Sequence, residues 1–320
     1  MRDVLVRDPL PDVDVDRALD ATRRVVEAVL GLLVEPMGRA HGEDWTIRDR
    51  TGAVRGVVRV DRWADRAERL SRTDRPGHTP LADQTPWAGS SSEALPVATV
   101  AIRCRVDGSG RSLTGPHQLQ ATLHEVGHAL NHVLLGGRTT LVTGLDYLPV
   151  ERLDLMSMWF DKWALHPGFL RAVLTDPGAD SVARVIWSRC IEFRRTLPTR
   201  VVVAAVDHAL HRSTSGTFAE TWTALDHRFG IAQLAAEEDV LEHLAWPMPL
   251  ANPGGEFSML WAYAATSTTF APFLDHDYDH DHPDHADGIF SSSVDPTAPS
   301  VPVDPVAAFA FHRTREDHSR

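Results

Sequence analysis

The feature that most constrains this chain is His124-Glu125-Val126-Gly127-His128, set in an apolar run from Leu119 to Leu130. Residues four apart share one face of an α-helix, so both imidazoles can reach a single point. Glu125 is rotated out of that pair, toward the water that a metal there would activate. Two neutral nitrogen donors beside a carboxylate base are the parts that zinc hydrolysis requires. Val126, Ala129, Leu130 and Val133 give the helix an apolar face to bury, and buried imidazoles need partners. Gly127 costs such a helix about 1 kcal/mol relative to Ala, which predicts close approach of another element there.

A catalytic metal held by one helix needs a third protein ligand and an open position for water. Glu151 opens the next helical stretch, 23 residues after His128, with room for a loop and return. Asp146 and Asp154 are its local competitors. In a purely structural role, Glu151 would be an acid at a helix N-terminus, favoured by the dipole.

With 320 residues, the chain has ample length for a core. Its net charge of −12, without any Lys/Arg cluster, argues against a nucleic-acid partner. Lys162 is the only lysine. No apolar run approaches the length of a membrane span, and the N-terminus lacks the basic-then-apolar order of a signal peptide. A cytoplasmic protein with no membrane partner is expected, with Cys104 and Cys190 as free buried thiols.

Residues 16–34 place apolar positions at helical spacing, ending before Pro36. Trp45–Arg48, Val54–Asp61 and Val97–Val106 read as strands, the first two joined by a turn at Asp49–Gly52. Residues 71–94 read as a long loop. From Thr114 the pattern turns helical, with segments near 115–136, 149–165, 167–175, 180–195, 198–211, 216–228, 233–245 and 256–269. Gly136 and Gly137 are placed to end the first of these. Trp159 and Trp163, four apart, read as core. Beyond about residue 275 the composition shifts to His, Asp, Pro and Ser, the mark of a loosely ordered tail. Its Asp275–His285 run reads as a solvated polar loop, with a second metal site as the sharper alternative.

Taken together, these residues resemble the thimet oligopeptidase family of zinc peptidases, including mitochondrial intermediate peptidase-like members. The family's His-Glu-Phe-Gly-His-Ala-Leu-His is similar to His124–Asn131. Its Val-Thr-Gly and Asp-Phe-x-Glu-x-Pro-Ser are similar to Val142–Gly144 and Asp146–Glu151, which implies Glu151 as third ligand. The Asp-to-Glu spacing is longer here, and Leu153-Asp154 stands where Pro-Ser is expected. Gly56–Asp61 resembles a family strand, and Leu95–Ile102 takes the place of the strand that offers its edge to substrate backbone. Asp207 and His211 look like a family Asp-x-x-x-His pair. His243-Leu244 and Leu260-Trp261 resemble landmarks near its substrate loop.

The resemblance implies a mainly α fold with a small β-sheet (α+β), a zincin-like catalytic domain with a HExxH helix. That domain would occupy residues 1–275, with residues 276–320 as the tail. It implies one Zn2+ on His124, His128 and Glu151, and Glu125 as the base that cleaves an amide bond in a peptide or peptide-like substrate. The family's helical N-terminal half has no counterpart, so either the cleft is open or a homo-oligomer or other partner covers it. The family's oxyanion tyrosines are replaced by Glu256 and Met259, a loss worth about 100- to 1000-fold in turnover per donor. His243 remains as a donor to the oxyanion, or else packs at a helix end on the core. A repurposed metalloenzyme acting on a small molecule and a degenerate metal-containing binding protein are the rival readings.

Overall fold

The computed structural model describes residues 9–64, 95–135, 150–212, 216–245 and 254–274. A two-residue strand β1 (Val13–Asp14) leads into α1 (Val15–Leu30), followed by β2 (Leu33–Arg39), β3 (Gly42–Arg48) and β4 (Val54–Ala64). Next come β5 (Val97–Val106), β6 (Ser112–Thr114) and α2 (Pro116–Leu134). The remaining helices are α3 (Val150–Leu153), α4 (Leu155–Asp161), α5 (Pro167–Val173), α6 (Ala179–Arg212), α7 (Phe218–Phe229), α8 (Glu237–Leu244) and α9 (Glu256–Leu274). The expected α+β class holds at this level: mostly helix, with one mixed sheet of six strands in the order β1-β6-β5-β4-β3-β2. Only β4 and β5 run parallel, Val57 opposite Val97 through Ala64 opposite Cys104.

Local chemistry explains the boundaries. Asp14 caps α1 by accepting from the Arg17 N–H, and Gly31 closes it in the left-handed region at φ 61°. Residues 33 and 34, expected to end that helix, instead begin β2. Pro36 is accommodated because β2 is an edge strand, where a missing N–H breaks no ladder. The segments expected at 180–195 and 198–211 form one helix, α6, with Pro198 inside it. The segment expected at 149–165 breaks at Asp154 into α3 and α4, and a 3₁₀ turn (Lys162–Leu165) follows. β1 and β6 are too short to carry a readable alternation.

One hydrophobic core joins the sheet to α1, α2, α4, α5, α9 and the start of α6, and holds Trp45, Ile47 and Val58 of the sheet together with Leu123, Val126 and Leu130 of α2 and Val182 and Val185 of α6. Burying each such side chain contributes about 1.5–3 kcal/mol. Trp159 and Trp163 are core residues, as expected, and meet Phe270 of α9 edge-on at 5.5 and 5.2 Å. A smaller cluster of Val202, Val206, Trp222, Ile231 and Val240 joins the far half of α6 to α7 and α8. The long helix α6 therefore spans both cores. Cys104 is buried, whereas Cys190 is exposed on α6, correcting the expectation of two buried thiols. No helix among the described residues is long and apolar enough to cross a membrane. The 71–94 loop, Gly136, Gly137 and the tail lie outside the described residues.

Candidate metal centre

Helix α2 lies between the sheet and α4. Its buried residues, Leu119, Leu123, Val126, Leu130 and Val133 among them, leave His124 and His128 one turn apart with their rings edge-to-face at 4.8 Å. Gly127 permits the contact with α4: a Cβ there would sit 2.4 Å from the Ser157 Cα and 2.8 Å from the Met156 carbonyl oxygen. The close approach expected at this glycine is an α2–α4 backbone contact.

That contact brings Asp154 to the imidazoles. Its Oδ1 lies 3.3 Å from the His128 Nε2 and 4.0 Å from the His124 Nε2. Asp154 precedes α4 at the capping position, yet its carboxylate caps nothing. It is turned to the histidines instead. His124, His128 and Asp154 each offer one donor atom, and these atoms lie within 4.8 Å of one another. A tetrahedral zinc with ligands about 2.0–2.1 Å away separates its donors by roughly 3.3 Å. The observed spacings therefore suit a metal with one small inward shift of His124. Two imidazoles and a carboxylate also suit zinc by donor type.

Asp161, two turns along from Asp154, places its Oδ2 3.7 Å from the His124 Nδ1. A carboxylate behind a ligating imidazole fixes the tautomer that leaves Nε2 free to bind. Burial disfavours the His124 cation, but the nearby carboxylate of Asp161, with Asp154 and Glu125, outweighs it and raises the pKa. Burial likewise opposes the Asp154 carboxylate, and the contact with His128 and the nearby His124 outweigh it, so its pKa is lowered. Glu125 follows His124 on α2, half-buried.

Glu151, the expected third ligand, is in α3, three residues before Asp154, and its side chain lies outside the described residues, as does Asp146. Asp154 was legible as a competitor, and Asp161 was missed. The readable signal was the seven-residue interval between them, which puts both carboxylates on one face of α4.

His243, the other expected catalytic residue, lies near the end of α8 with its Nε2 3.2 Å from the Glu256 Oε2 of α9. The N-terminus of α9 is tied to α6 by Asp207, a fully buried carboxylate that accepts from the backbone N–H of Gly254 at 3.0 Å and of Glu256 at 3.2 Å. His211 completes the group, its Nδ1 2.9 Å from the Asp207 Oδ1. His243 and Glu256 belong to the wall of a cleft between α4, α6, α8 and α9, which Met158, Phe193, Arg200 and Tyr263 also line. Met158 stands one turn beyond Asp154, so α4 is shared by the cleft and the metal centre.

No protein-family profile matches the chain. An alignment of 196 positions that covers 58% of the chain is 25% identical to a probable cytosolic oligopeptidase A from Arabidopsis thaliana. The chain spans 28% of that relative's length. The similarity supports a distant relationship to oligopeptidases at most.

Proposed function

We propose that the chain is a zinc-dependent hydrolase that cleaves an amide bond in a short peptide or peptide-like substrate. The observation that carries the reading is the convergence of His124, His128 and Asp154 next to Glu125. Similarity to an oligopeptidase supports it. A bound zinc ion would supply a Lewis acid that acidifies water and polarises the substrate carbonyl. In this reading His124 and His128 hold the ion through Nε2, Asp154 is the third ligand, and Asp161 orients His124. Glu125 accepts the proton of the attacking water as its oxygen bonds to the carbonyl carbon. It returns that proton to the nitrogen as the C–N bond breaks, so the products are an acid and an amine.

The sheet offers a place for a peptide backbone. Among the described residues, Arg105 and Val106 are the part of β5 that β6 pairs with, which leaves the earlier part of that strand unladdered on the side away from β4. An extended peptide could add there. In this reading His243, in the cleft that shares α4 with the metal centre, is the donor to the oxyanion, and a second copy or another partner would cover the open face.

The test has two parts. Metal content is measured for the wild type, Asp154→Ala and Glu151→Ala, and loss in the first variant alone assigns the third ligand to Asp154. Cleavage of a peptide library is then compared between the zinc-loaded wild type and Glu125→Gln. Cleavage that the variant lacks supports the proposal. Bound zinc with no peptide cleaved would overturn the peptide reading and transfer the site to small-molecule substrates.

A further inference from the structure

Arg200 is the cleft residue that the metal centre leaves unexplained. Among the described residues its guanidinium makes no hydrogen bond or ion pair, although the neighbouring charges in that wall are matched. Glu256, 11% exposed, is paired with His243. The Tyr263 ring is stacked on Phe193 at 4.5 Å between centroids and capped by the Lys162 ammonium at 3.9 Å. With the ring fixed in this way, the Tyr263 hydroxyl also makes no hydrogen bond among the described residues. Burial, with Asp161 and Cys190, pushes the Tyr263 phenol pKa up, and Arg200 pulls against them, so the guanidinium lies within electrostatic reach of the hydroxyl. Two donors without a protein partner among the described residues, the exposed Arg200 cation and the half-buried Tyr263 hydroxyl, therefore line the cleft together with the apolar side chains of Phe193, Leu197 and Met259.

We infer that this cleft binds a carboxylate carried on an apolar residue, the C-terminal residue of a peptide, with Arg200 and the Tyr263 hydroxyl as its donors. A guanidinium meets a carboxylate through two parallel N–H bonds, and the phenol can donate a third. The apolar lining receives the side chain of the same residue. From Asp154 to Met158 is one turn of α4, about 6 Å along its axis. An extended residue covers about 3.3–3.6 Å, so one or two residues span the stretch of α4 that the metal centre and the cleft share. The inference rests on the hydrolase reading and adds to it the class of substrate.

The experiment measures binding, so it reads out even if no peptide is cleaved. Calorimetric affinities of acetyl-Leu-Phe, its C-terminal amide, and an amidated peptide with an internal glutamate are measured on Glu125→Gln, with zinc and without. The free acid should bind at least roughly tenfold more tightly than the amide in both metal states. Adding Arg200→Gln should abolish that preference, Tyr263→Phe should narrow it, and Arg195→Gln, at an exposed position of the same helix, should leave it unchanged. Equal binding of acid and amide, or a preference that survives Arg200→Gln, would overturn the inference. A preference seen only with zinc would also overturn it, since the carboxylate would then sit on the metal. Equal binding of the internal-glutamate peptide would overturn the assignment to a chain terminus.

Discussion

Gly127→Ala tests how the metal centre is assembled, because it perturbs neither ligand nor base. The added methyl would lie 2.4 Å from the Ser157 Cα and 2.8 Å from both the Ser157 nitrogen and the Met156 oxygen, whereas ordinary contact begins at 3.4 Å. All three atoms are backbone, so no side chain can swing aside. Helices α2 and α4 must separate by about 1 Å. Such overpacking costs about 1–3 kcal/mol, and the better helix propensity of Ala returns about 1 kcal/mol of it. A net loss of up to about 2 kcal/mol should appear in chemical denaturation of the metal-free protein. The sharper effect falls on the metal. Asp154 lies three residues before Ser157 on the displaced segment, and a ligand moved by about 1 Å leaves the tetrahedral arrangement. Zinc affinity, measured by competition with a chromogenic chelator, should fall at least tenfold. Gly108→Ala, where the methyl meets open space, serves as the control and should change neither quantity. Wild-type zinc affinity in Gly127→Ala would refute the claim that this contact sets the site.

Four further outcomes are expected. Asp161→Asn should keep the shape of the His124 support but weaken the carboxylate's hold, lowering zinc affinity about 10- to 100-fold with little change in the melting of the metal-free protein. Asp207→Ala should destabilise the fold by about 1–3 kcal/mol, since it strips the acceptor from two part-buried N–H groups at the start of α9; a urea titration reads this directly. Zinc uptake should release protons and weaken in acid. The raised His124 pKa means that protons compete above its usual 6.5, so apparent affinity should still be climbing past that pH in a buffered competition assay. The last concerns Lys162, whose pKa burial lowers against the pull of Asp161. Between that lowered value and 10.5 the unfolded chain binds more protons than the folded one, so stability gains a contribution that rises with pH. Lys162→Met should remove that rise, read by denaturation between about pH 8 and pH 10.

Much of the fold was legible because it is written in local periodicity. The Val97–Val106 strand matches β5 residue for residue, and the expected 115–136 helix differs from α2 by a residue or two at each end. The failures share one cause. Pro36 and Pro198 read as local breaks, yet the edge of the sheet tolerates the first and α6 runs through the second. Asp49 and Asp107 each close a hairpin turn by accepting backbone N–H bonds two and four residues on, which a short polar run with glycine does announce.

The sequence by itself determined that two imidazoles and a carboxylate base share one buried helix, because spacing along a helix is a property of the chain alone. It also placed a glycine where another backbone must come close. Only the tertiary structure brings Asp154 to those imidazoles, by seating α4 against Gly127. The side chains of Glu151 and Asp146 lie outside the described residues. Tertiary structure likewise decides for His243, whose partner Glu256 is delivered by a different helix tied down through Asp207, and for Arg200, which the packing of α6 against α9 brings near Tyr263. Ligand geometry is a relation between elements, and packing, unlike periodicity, is not encoded at any single stretch of sequence.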